Sequence, residues 1–151
     1  MREGKKQQLT LPEVVTHILE ECRMVLPGIQ ALFGFQLIAV FNQGFAEKLT
    51  SMEQYLHLAA IGLVAIAVAL VMTPAAYHRQ SSPEEATADF ITISTRLLLY
   101  SMFPLMLGIC LDFYIIATVI TRHHALSALL SALLLSIFSA LWFMLPWRKK
   151  N

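Results

Sequence analysis

The sequence predicts an all-α integral membrane protein, a four-helix transmembrane bundle. Three observations predict it. Of 151 residues, 57% are apolar and only 14% are charged, against about 25% charged in an ordinary soluble domain. The charged residues are unevenly spaced, so long stretches carry none. Four of those stretches approach or reach the roughly 20 apolar residues a helix needs to cross a bilayer core of about 30 Å. A net charge of +1 excludes a nucleic-acid binder driven by charge, and two cysteines exclude a disulfide scaffold or a cysteine-based zinc ribbon.

The spans run about 24–41, 55–73, 97–120 and 125–145. The second and fourth are the clearest. The first is short and carries Gln30 and Gln36. The third carries Asp112. No apolar stretch of signal-peptide type follows Arg2, Lys5 and Lys6 within the first twenty residues, so the first span is expected to be retained. The whole chain reads as one transmembrane domain, with a flexible N-terminus over 1–11 and a basic tail over 146–151.

Orientation follows from lysine and arginine. With a cytoplasmic N-terminus, that side holds Arg2, Lys5, Lys6, Arg23, Arg79, Arg96, Arg148, Lys149 and Lys150, and the other side only Lys48 and Arg122. The bias predicts both termini in the cytoplasm, and the expected location is the bacterial inner membrane. Trp147 beside Arg148 suits an interfacial anchor. Thr10 is a candidate N-cap with Pro12 in the first turn, so the first helix should extend into the cytoplasm before entering the membrane. Ser82, Pro83, Glu84 and Glu85 open the third helix in the same way. The short His123-His124 connection makes the last two spans antiparallel neighbours.

Polar residues inside a span are costly against lipid and mark interior faces. In the first helix Thr16, Glu20, Arg23, Pro27, Gln30 and Gly34 repeat at steps of four and three, which keeps them on one face. This face is expected to meet other helices. Glu20, Glu21, Arg23 and Gln30 are candidates to line an ion or substrate path, or else to hold the bundle by interhelical hydrogen bonds. Pro27 beside Gly28 predicts a kink or a close helix contact.

Asp112 is the carboxylate well inside a span, on one face with Ser101, Leu105 and Gly108. It is a candidate proton- or cation-binding group, with His57, Asn42 and Gln43 as partners at similar depth. His17, Glu20 and Glu21, and the pair His123-His124, lack the further ligands a metal centre needs; no metal and no cofactor are expected. Ala128, Ala132, Ser136 and Ala140 form a small-residue line expected to pack the last helix, with Gly62, Ala65 and Ala69 a weaker one in the second. Cys22 and Cys110 fall at opposite depths and should stay unbonded. No phosphate loop, catalytic triad order or HExxH is present, so no feature calls for an enzyme.

Glu21-Cys22-Arg23, Gly28-Ile29-Gln30, Phe33 to Phe35, Phe41, Pro74-Ala75-Ala76-Tyr77-His78-Arg79 and Arg96 together resemble a bacterial family of small four-helix membrane proteins of unknown function. The resemblance covers roughly 13–120. Some members are labelled sodium:proton antiporters, and the resemblance implies fold and family. Its residues gather on the predicted cytoplasmic side, where Glu21, Arg23, His78, Arg79 and Arg96 are expected to cluster, with Pro74 ending the second helix. Arg23, His78, Arg79 and Arg96 are candidates to hold an anionic lipid headgroup. The functional expectation is an ion- or small-solute-conducting or transporting module. The alternative is a structural or regulatory membrane protein that binds lipid or a protein partner without transport. The expected partners are the bilayer, an anionic lipid and further copies of the chain; nucleic acid is not expected.

Overall fold

The computed structural model describes residues 10–81 and 88–145. Every long element in it is helical. α1 spans Leu11–Val40, α2 Gly44–Lys48, α3 Ser51–Ser81, α4 Ala88–Thr121 and α5 His124–Ser139, which runs on into one π-helical turn, Ala140–Met144. Four of these stretches, Leu11–Val40, Ser51–Gln80, Ala88–Thr121 and His124–Met144, are long and apolar enough to cross a membrane. The chain is a multi-pass membrane protein on this reading. The expected start of the third helix at Ser82–Glu85, the N-terminal segment before Thr10 and the basic tail lie outside the described residues.

Both T-x-x-E segments build helix starts. The Thr10 N–H and hydroxyl donate to Glu13 Oε2 at 2.7 and 2.9 Å. At α3 the Thr50 N–H and hydroxyl donate to Glu53 Oε2, both at 2.8 Å. Each pairing satisfies a donor that the first turn of a helix leaves open. Only the Thr10 start was expected. α3 also runs straight through Pro74 to Ser81. Pro74 does not end it; the ring is fully buried in the bundle instead.

The centre of the fold is the α3–α4 pair, the most extensive interface in the chain. In α3 the buried residues are Glu53, His57, Ala60, Val64, Ala67, Val71 and Pro74, at steps of four and three. That repeat of 3.5 keeps one seam facing a neighbouring helix. α4 answers with Phe90, Ser94, Ser101, Gly108 and Ile115. At Gly108 the two backbones come so close that an added Cβ would stand 2.9 Å from Val64 Cγ2 and 3.2 Å from the Ala60 carbonyl. Lipid is as apolar as leucine, so packing of this kind, rather than the hydrophobic effect, holds helices together in a membrane.

α1 packs on α3 and more lightly on α4, and α5 packs on α4. The α1 face that does so carries Val15, Ile18, Cys22, Ile29 and Gln36. The predicted polar stripe is turned the other way: Thr16, Glu20, Arg23, Pro27 and Gln30 are exposed, and Gly28 has nothing within 4 Å of an added Cβ. The two small-residue lines are likewise outward. Ala128, Ala132, Ser136 and Ala140, and Gly62, Ala65 and Ala69, are all exposed. α5 meets α4 through serines instead: Ser131 Oγ donates to the Cys110 carbonyl at 2.8 Å and Ser139 Oγ reaches Met106 Sδ at 3.7 Å. Polar hydroxyls that bond across helices won over small size. Cys22 and Cys110 are both free and buried, as expected.

Candidate functional site

α1 ends, α3 begins and α4 nears its end at the same end of the bundle, here called the loop end. Asp112 sits nine residues before Thr121, about 13 Å along the helix at 1.5 Å per residue. His57 sits six residues into α3 and Gln36 four residues before the end of α1. Three helices therefore deliver one polar side chain each to one level inside the loop-end half.

The three side chains meet. Gln36 Nε2 donates to Asp112 Oδ2 at 2.6 Å. His57 Nδ1 lies 2.9 Å from Asp112 Oδ1, and His57 Nε2 lies 3.0 Å from the Gln36 backbone carbonyl. Gln36 is 4% exposed, and the His57 and Asp112 side chains are 9% and 15% exposed. Phe45 of α2 stands against the His57 ring, with centroids 5.3 Å apart.

A carbonyl can only accept, so the contact to Gln36 is a hydrogen bond when His57 Nε2 carries hydrogen. The contact of Nδ1 with Oδ1 is then a hydrogen bond when one proton lies between the two atoms. Gln36 Oε1 is the one buried side-chain polar atom among the described residues with no hydrogen-bond partner.

Beside this cluster is a cavity of about 470 Å³, lined by Leu32, Phe35, Gln36, Phe45, Lys48, His57, Asp112 and Ile116 among others. It adjoins a second cavity at the loop end of about 660 Å³, where Glu47, Glu53, Arg122 and His124 come together. Lys48 and Val119 line both.

Of the sequence-predicted residues, Asp112 is in the site and His57 is its partner. Asn42 is not: its Oδ1 accepts from the Gly44 N–H at 3.1 Å and starts α2. Gln43 is exposed. Glu20, Glu21, Arg23 and Gln30 are exposed on α1, and the contact among them and their neighbours is His17 Nδ1 to Glu20 Oε2 at 3.7 Å. Arg23, Arg79 and Arg96 are exposed, and among the described residues no ion pair joins them to Glu21. The expected cluster with Glu21 is not formed by direct pairing; His78 packs on Phe90 with ring centroids 5.4 Å apart. Sequence reasoning missed Gln36. The signal that could have found it is spacing, since Cys22, Ile29 and Gln36 repeat every seven residues along the covered face.

A family model described as a family of unknown function, DUF6328, matches residues 5–146. No curated protein and no solved structure matches the chain.

Proposed function

The chain belongs to DUF6328, a family of unknown function, and on that premise we propose that it is an ion-handling membrane module whose Asp112–His57 pair binds a proton. The single observation that carries this reading is the 2.9 Å contact between a carboxyl and an imidazole all but enclosed by three helices. A central carboxylate costs roughly 2.5 to 3.5 kcal/mol in a membrane-spanning helix. Packing between apolar helices does not require one, so its presence inside the bundle supports a role beyond packing.

Access is from the loop end, where the two adjoining cavities meet at Lys48 and Val119. With the lysine and arginine bias oriented by the positive-inside rule, that end faces away from the cytoplasm of a bacterial inner membrane. Below the pair the α3–α4 seam is dry: Ala60, Val64 and Ala67 are fully buried. Transport through the pair requires this seam to part. Gln30, exposed on α1, supports assembly with further copies, because an amide facing lipid gains by finding a partner.

The test is proton flux into proteoliposomes carrying a pH-sensitive dye. The wild-type chain should conduct, and Asp112→Asn should lower the rate at least tenfold while Leu129→Ala, on the exposed face of α5, retains it. Equal flux with Asp112→Asn would sink the proposal.

One observation favours a second reading, a regulatory protein that holds an anionic lipid without transport. Arg23, Arg79 and Arg96 are exposed cations near the opposite end, suited to phosphate headgroups. Native mass spectrometry of Arg79→Ala and Arg96→Ala would then show reduced lipid retention, with no flux from the wild-type protein.

A further inference from the structure

The cavity beside Asp112 has features that proton binding does not use. Phe35 of α1 and Ile116 and Ile120 of α4 line it and are 72%, 57% and 74% exposed. Its wall is therefore also the outer surface of the bundle, and the cavity opens sideways between α1 and α4. Around helices of this length and apolarity the medium is hydrocarbon. Its rim at the loop end carries Lys48. The ionisable groups in the lining are Lys48, His57 and Asp112. Asp112 is bonded to His57 and Gln36, and among the described residues Lys48 is in no ion pair. Glu47, Glu53, Arg122 and His124 face Lys48 from the neighbouring loop-end cavity. About 470 Å³ is within the range of small-ligand cavities, roughly 300 to 1,000 Å³, and too small for both chains of a membrane lipid.

We propose that this cavity binds an anionic phospholipid of the surrounding leaflet, one acyl chain seated between α1 and α4 and the phosphate held by Lys48. The chain lies against Phe35, Ile116 and Ile120, and the head stays at the loop end where Lys48 projects. The lateral opening selects a molecule already dissolved in the membrane, and Lys48, in no ion pair among the described residues, selects its charge. This site is at the opposite end from the arginines considered above.

The experiment is native mass spectrometry of the delipidated protein in detergent, titrated separately with phosphatidylglycerol, phosphatidylcholine and oleate. Ala39→Trp fills the cavity from α1, Lys48→Gln removes the cation, and Leu129→Trp, on the exposed face of α5, is the control for an added indole. The wild type and Leu129→Trp should bind phosphatidylglycerol alike. Lys48→Gln should weaken it about fivefold, the equivalent of about 1 kcal/mol, and leave phosphatidylcholine unchanged. Ala39→Trp should lose one bound molecule of either lipid. Equal binding by Ala39→Trp and wild type would overturn the site, and tighter binding of oleate than of phosphatidylglycerol would overturn the phospholipid assignment. The readout is occupancy, so it stands or falls separately from proton flux.

Discussion

Asp112 and His57 are 55 residues apart in the chain and 2.9 Å apart in the fold. The contact joins α4 to α3 one turn beyond Gly108, where an added Cβ would stand 3.2 Å from the Ala60 carbonyl. Close approach and polar contact support each other. A glycine lets α4 come near enough for a carboxylate to reach a ring on α3, and the bonded pair then fixes the register of the seam. Gln36 adds α1 to the same knot through both its side-chain amide and its backbone carbonyl.

Asp112 is the member on which the others depend. Replacing it with leucine strips partners from His57 Nδ1 and Gln36 Nε2 together, whereas His57→Leu leaves Gln36 bonded to the carboxyl. Breaking a buried pair costs about 3 to 5 kcal/mol when one partner stays behind. Asp112→Leu should therefore destabilise more than His57→Leu, and the double variant should cost less than the sum by about 1 to 3 kcal/mol. Thermal unfolding in micelles measures all three. Additive losses would mean that the pair is not coupled.

Gly108, in the seam, and Gly62, on the exposed face of α3, make a matched comparison. A Cβ at Gly108 would stand 2.9 Å from Val64 Cγ2, and at Gly62 it meets nothing within 4 Å. Gly108→Ala should push α3 and α4 apart at a cost of about 1 to 3 kcal/mol. Gly62→Ala should be neutral or slightly stabilising, since alanine is the better helix former. Val64→Ala should recover part of the Gly108→Ala loss in the same unfolding assay, because it removes the methyl group in the way.

Ser131 and Ser136 lie five residues apart on α5 and bond differently. Ser131 Oγ donates across to the Cys110 carbonyl of α4, and Ser136 Oγ returns to Ala132 of its own helix. Interhelical hydrogen bonds in membrane proteins average about 0.6 kcal/mol. Ser131→Ala should cost about that much and Ser136→Ala close to nothing. Equal effects would place the α4–α5 contact elsewhere, for instance on the Phe103–Phe143 stack at 4.3 Å.

How far the sequence reaches depends on which force sets each feature. The existence of four spanning helices was legible because hydropathy acts residue by residue, and four helices among the described residues are long and apolar enough to cross a membrane. The Asp112–His57 pairing was legible as a match of depth, since two buried polar groups at one level seek each other. The face of α1 was not. Its polar stripe and its covered face share the same helical period, and a period cannot say which side turns inward. Polar groups on either side can face protein; Gln36 does so and the stripe does not. Pro74 lacks an N–H and so suggests a helix end, but burial among neighbours lets the helix continue through it.

Arg122 closes α4 with φ at 56°, the left-handed region, while its N–H bonds to the Thr118 carbonyl at 2.9 Å. Glycine is the usual residue there, since a Cβ costs roughly 1 to 2 kcal/mol in that conformation. Glycine also frees the unfolded chain and gives back about 0.5 to 1 kcal/mol of that relief. Backbone strain alone predicts that Arg122→Gly raises stability by about 0.5 kcal/mol. The side chain argues the other way, because it lines the loop-end cavity with Glu47 and Glu53. Comparing Arg122→Gly with Arg122→Asn in the unfolding assay separates the two. Both tolerate the conformation and both remove the guanidinium, so a loss of stability in both would assign Arg122 to the carboxylates, and a gain in both would assign it to the turn alone.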